Sequence, residues 1–193
     1  MARIGIYGGS FNPPHLGHIF AARKARQLLG LDKILLIPAA IPPHKAVAEG
    51  SPDGETRLAL TQLAIAGETG MEVSRIELDR PGPSYTVDTL RELRESYPQD
   101  ELYLLMGTDM FLSFFQWREP EAIAALAVPV CMARVPMQRF LRSCWPSRKK
   151  WRPYSASGPS FCRTTVWKFR RPRPVGSCFS ALRTRSCTRT CWP

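Results

Sequence analysis

A chain of 193 residues with 44% hydrophobic and 22% charged side chains is long enough to bury a core of its own. Its formal charge of +11 spans two unlike pieces: residues 1–132 hold all 16 acidic side chains against 12 basic ones, a formal −4, while residues 133–193 hold 15 basic ones and no acid. The longest apolar run, residues 122–133, is 12 residues, short of the roughly 18 that cross a bilayer. Residues 1–7 carry neither a long apolar stretch nor a cleavage site, so a membrane span is excluded and a cytoplasmic location is expected.

In chain order, residues 3–7 (RIGIY) read as a buried strand closed by glycine. Residues 15–29 follow as a helix on which Leu16, Ile19 and Phe20 share a face and which Gly30 caps. Residues 33–37 (KILLI) are a second buried strand, closed by proline, and residues 53–66 a second helix. Residues 72–78 (EVSRIEL) alternate like a half-exposed strand. Residues 85–97 make a third helix, with Val87, Leu90 and Leu93 at three-residue steps behind a Ser84 or Thr86 cap. The apolar run 102–106 (LYLLM), short helices near 109–116 and 119–125, and a last run 128–132 (VPVCM) complete the pattern. Strands alternating with helices predict an α/β fold, a doubly wound, Rossmann-like parallel sheet covered on both faces. In such a sheet ligands gather at the carboxyl ends of the strands.

The motifs lie at those ends. GGSFNPPHLGH, residues 8–18, leaves the first strand and opens the first helix. Glycines let the backbone approach a bound phosphate, and a helix N-terminus offers free amide donors and partial positive charge. His15 and His18, three apart, project from one face of the first turn, where imidazoles can donate to charge growing on phosphoryl oxygens. A capped helix with two surface histidines, or half of a metal site, would show the same spacing. Ile41-Pro-Pro-His44-Lys45 is a stiff loop ending in a cation after the second strand, and a lysine there would ordinarily be solvated. PSYTVDTL, residues 83–90, opens the third helix with Asp88 favourable to its dipole. After the fourth strand, MGTDMFLSFFQW, residues 106–117, offers Gly107 for a tight exit, Asp109 as a cap and Trp117 as core or stacking surface. Cys131 reads as an inert core residue. The other five cysteines form no CxxC pair, and the last histidine is His44, so no metal site is expected.

GGSFNPPHLGH closely resembles the signature of the nucleotidyltransferases that adenylylate small phosphates, among them the nicotinate mononucleotide and phosphopantetheine adenylyltransferases. The P-x-H-K, SYT-x-DTL and GTD…W elements are similar to those of the nicotinate mononucleotide branch. The resemblance covers residues 1–134 and implies a nucleotidyltransferase domain there. It implies that His15, His18 and Lys45 serve catalysis at the phosphates. Gly8, Gly9, Ser10, Phe11, Gly107 and Asp109, with both histidines, would bind ATP. His44, Lys45, Thr86, Asp109, Trp117 and Arg134 would meet the substrate mononucleotide. The implied reaction transfers AMP from ATP, with Mg²⁺, to nicotinate mononucleotide, giving deamido-NAD and pyrophosphate; nicotinamide mononucleotide or another small phosphate is the alternative acceptor. Self-association is left open.

Past Arg134 the resemblance stops: the SST-x-[IV]-R element that should hold the ATP phosphates is absent. Residues 135–193 form a basic tail with no acid, rich in Arg, Pro, Cys and Trp and without a persistent period. The composition favours GC-rich coding DNA read out of frame, and hence a disordered segment. A divergent end of the fold and a nucleic-acid arm, Arg interleaved with Trp and Phe, are the competing readings. The last would make the chain a nucleotide-binding remnant without catalysis, a role less favoured than the enzyme.

Overall fold

The computed structural model describes residues 1–42, 50–133, 151–154 and 165–169. Strands β1 (Arg3–Gly9), β2 (Lys33–Pro38), β3 (Met71–Val73), β4 (Glu101–Gly107) and β5 (Val128–Ala133) lie parallel in one sheet. Helices α1 (Leu16–Leu29), α2 (Gly54–Ala64), α3 (Thr86–Ser96), α4 (Thr108–Leu112) and α5 (Pro120–Leu126) connect them, with a 3-10 turn at Phe114–Gln116. Two short strands, β6 (Trp151–Tyr154) and β7 (Thr165–Phe169), extend the sheet antiparallel beyond β5, giving the order β3-β2-β1-β4-β5-β7-β6.

The strands are apolar runs because both faces are covered. On β4, Leu102, Leu104 and Met106 face one core with Val87, Leu90 and Leu93 of α3, Phe111 of α4 and Ile123 of α5. Tyr103 and Leu105 face the other, with Ile19, Ala22, Ala25 and Leu28 of α1. The period of two along the strand thus sorts its side chains between two helical layers. The chain order runs outward from β1 in both directions, so the sheet's topological switch lies between β1 and β4. There the connections leave toward opposite faces and open a crevice at the strands' carboxyl ends.

Four local expectations need correction. Leu16 and Phe20 are 72% and 59% exposed, so of the predicted face only Ile19 is buried; α1 docks through Ile19 together with Ala22 and Ala25, whose small side chains admit close approach. The strand expected over 72–78 stops at Val73. Ser74 donates to the Leu36 carbonyl, but two residues further along β2 Pro38 has no amide hydrogen to continue the ladder. The Arg75 carbonyl then accepts from Leu78 and Asp79 in a turn. The N-cap of α3 is Tyr85 rather than Ser84 or Thr86, because the Ser84 hydroxyl accepts from the Ala40 amide, 3.0 Å away. The N-cap of α4 is Gly107, with Asp109 in the first turn.

Gly30 is the left-handed C-cap of α1, φ 59° and ψ 48°. Cys131 is fully buried, and burial pushes its thiol up to about 12. β6 and β7 lie in the stretch where the sequence shows no persistent period: four- and five-residue strands are too short to display one, though Thr165–Phe169 is rich in strand-forming types. The remaining residues of 135–193, on which the out-of-frame and nucleic-acid readings rest, lie outside the described ones. Among the described residues no helix is long and apolar enough to cross a membrane.

Candidate active site

A cleft of about 560 Å³ opens over the switch between β1 and β4. Its walls come from the turn after β1 (Gly8, Gly9, Ser10, Phe11), the start of α1 (His15, His18), the start of α3 (Thr86) and the turn and helices after β4 (Gly107, Asp109, Trp117). Ten of the side chains and glycines singled out from three separate motifs thus converge on one cavity. His44, Lys45 and Arg134 lie outside the described residues.

The turn after β1 is held by packing. Phe11 adopts φ 43°, unusual for a residue with a side chain, and is buried to 2% exposure. Its ring meets Tyr7 and His18 edge-on at 5.6 and 5.2 Å. Phe11 therefore lines the cleft as a wedge beneath it. His15 is the N-cap of α1 and His18 its third residue; the rings stack at 3.7 Å between centroids, 24° apart in plane. The His15 amide donates to His18 Nδ1 over 3.2 Å. A nitrogen that accepts carries no proton, so neutral His18 bears its proton on Nε2 and can donate from there. Both rings sit at a helix start, where unsatisfied amides and the helix dipole favour an anion.

On the far wall, Thr86 is the first residue of α3, and the ring of Tyr85 beside it carries the Arg118 guanidinium 4.7 Å above its centroid. Trp117 ends the 3-10 turn; its Nε1 donates to Ser113 Oγ over 3.3 Å, and it packs on Phe114. A half-buried indole fixed in this way presents a flat face on which an aromatic ring can stack.

Sequence reasoning missed several cleft residues. Tyr85 lies within the 83–90 motif and Arg118 directly follows Trp117, but nothing in their spacing gives either a role of its own. Glu77 is 6% exposed and borders the cleft. It accepts from Thr89 Oγ1 over 2.8 Å and from the Ser84 hydroxyl, and burial raises its pKa while those two hydroxyls and Arg80 oppose the rise. Among the described residues no group of three or more His, Cys, Asp or Glu side chains is placed to hold a metal ion.

A doubly wound sheet whose switch-point cleft combines a glycine-rich turn, paired histidines on a helix N-terminus and an aromatic wall defines a nucleotide-binding domain of the nucleotidyltransferase class. The chain belongs to the cytidylyltransferase-like family, whose sequence profile matches residues 6–158. Its curated relatives include "Probable nicotinate-nucleotide adenylyltransferase" of Thermus thermophilus, 49% identical over 132 residues, 68% of this chain and 69% of that protein. The Gloeobacter violaceus protein of the same name is 49% identical over 129 residues, 67% of this chain and 60% of that one. Among solved structures, Plasmodium falciparum nicotinic acid mononucleotide adenylyltransferase complexed with NaAD superposes with a TM-score of 0.63 at 20% identity, covering 76% of this chain and 72% of that one. At that identity the likeness speaks for the fold.

Proposed function

We propose that this chain transfers AMP from ATP to nicotinate mononucleotide, releasing pyrophosphate and forming deamido-NAD. The observation that carries the reading is the convergence of the phosphate-type wall, His15 and His18, and the far wall, Thr86 and the Trp117 indole, on one cleft. The relatives' shared name supports the same reaction. The mononucleotide's phosphate oxygen attacks the α-phosphorus of ATP, the bond from that phosphorus to the bridging oxygen breaks, and pyrophosphate leaves. His15 and His18 donate to the phosphoryl oxygens as charge grows on them, and Gly8, Gly9 and Ser10 admit the chain of phosphates close to the backbone. Phe11 supports that turn from below, Gly107 leaves room beside it, and Trp117 stacks on the pyridine ring that Thr86 borders.

Lys45 and His44 would add positive charge from the loop after β2, and Arg134 from beyond β5. Of the two carboxylates lining the cleft among the described residues, Glu77 and Asp109, Glu77 is engaged by the Thr89 and Ser84 hydroxyls; Asp109 then suits a magnesium ion held chiefly by substrate phosphates. Bound with ATP, magnesium would neutralise the departing pyrophosphate. The rest of catalysis is positioning and electrostatics. The cytoplasm is the expected location.

Offering nicotinate and nicotinamide mononucleotides in separate reactions with Mg-ATP tests the proposal by mass spectrometry of the products. Deamido-NAD is expected to form faster than NAD; NAD formed faster, or no dinucleotide from either, contradicts it.

A further inference from the structure

Arg57, the fourth residue of α2, is 5% exposed, although arginine is among the residues least often buried. None of the ion pairs among the described residues involves it. Its guanidinium is spent on three backbone carbonyls instead. Nη1 donates to the Ser10 oxygen over 2.8 Å, Nη2 to the Ala40 oxygen over 3.3 Å, and Nε to the Pro52 oxygen over 3.3 Å. Ser10 belongs to the turn after β1 that lines the cleft, Ala40 to the loop after β2, and Pro52 to the entry of α2.

The Ala40 peptide neighbourhood is held from both sides. Its carbonyl is taken by Arg57, and its amide donates to Ser84 Oγ at the start of α3. The Ala39 amide donates to the Gly9 carbonyl, and the Ser84 amide to the Ile41 carbonyl, both over 2.9 Å. The turn after β1, the loop after β2 and the start of α3 all border the cleft, and Arg57 grips the first two from the helical layer. In a trans peptide the amide hydrogen points opposite to the carbonyl oxygen. Fixing the Ser10 carbonyl therefore fixes the direction in which the Phe11 amide donates. A lysine keeps the charge, but its single ammonium group cannot span three carbonyls in the fixed fork of a guanidinium.

We propose that Arg57 is a positioning residue: from α2 it sets the spacing between the glycine-rich turn and the loop after β2, and through that turn the placement of His15 and His18 against the phosphates. The kinetic half of this inference rests on the proposed reaction; the structural half does not. Two measurements on the full chain test it. Amide hydrogen exchange in wild type and Arg57→Lys needs no substrate. Exchange at Ala39 and Ala40 is expected to quicken at least about tenfold in the variant, with Leu104 and Leu105 of β4 unchanged. In steady-state kinetics, Arg57→Lys is expected to lower kcat about tenfold or more with the KM for ATP little altered, and added guanidinium ion to restore part of the activity of Arg57→Ala. Unchanged exchange at Ala39 and Ala40 overturns the brace, as does faster exchange spread evenly over the sheet. Quickened exchange with unchanged kcat in a turning-over enzyme overturns the link to catalysis. A wild-type chain that forms no dinucleotide overturns the proposed reaction, and the exchange comparison still decides the brace.

Discussion

In the proposed reaction His15 and His18 act through one turn of helix: the first caps α1, the second receives the first's amide on Nδ1, and that bond selects Nε2 as the proton-bearing edge of neutral His18. The pair was legible because its spacing and the glycines before it are local in sequence. Glu77 was not, because its meaning lies in burial and in hydroxyls brought to it by the fold. A carboxyl whose folded pKa lies above its unfolded value favours folding fully below the unfolded pKa. That contribution is lost as pH rises through the folded value. Burial raises Glu77. Glu77→Gln removes the titration while keeping an acceptor for Thr89. Denaturant midpoints across pH 4 to 8 are therefore expected to show wild type losing stability relative to this variant as pH rises, about where a raised carboxyl titrates; a constant difference would deny that Glu77 is raised.

At the level of elements, each helix and strand expected in residues 1–132 is present, because apolar periodicity reports burial directly. The misfits are places where a partner outside the element decides. Leu16 and Phe20 have helical spacing with Ile19, yet Ala22 and Ala25 set the docking face. The third strand ends where Pro38 on its neighbour lacks an amide hydrogen, and Ser84 caps nothing because Ala40 claims its oxygen. Arg57 was invisible for the same reason: two of its three carbonyl partners lie 47 and 17 residues away. Gly30 was legible, since a helix ending in a left-handed residue asks for glycine. A side chain there is strained, and its Cβ would stand 3.2 Å from Arg3 Nη1. Gly30→Ala is expected to cost about 1 kcal/mol of stability and lower the melting temperature by a few degrees; an unchanged melting curve would contradict the assigned cap.

Across the whole molecule, the outward winding of the sheet from β1 in both directions turns three separate motifs into one site. Residues 8–18, 83–90 and 106–117 are far apart in the chain and meet only because β1 and β4 are neighbours. Alternation of strands and helices announces the doubly wound class; the strand order comes from tertiary pairing. Past β5 the sheet gains β7 and β6, and the family profile extends to residue 158, further than the motif resemblance reaches. Composition alone could not show that, because two short strands leave no lasting period among so many prolines and arginines. The central claim is that the cleft holding His15 moves AMP from ATP to a pyridine mononucleotide. Its most direct test follows label from the α-phosphate of ATP in wild type and His15→Ala, given nicotinate mononucleotide and magnesium. Label is expected in deamido-NAD, with unlabelled pyrophosphate released, and at a rate about a hundredfold or more lower in the variant, whose circular dichroism should match wild type. Equal rates in the two proteins, or label that never enters a dinucleotide, would contradict it.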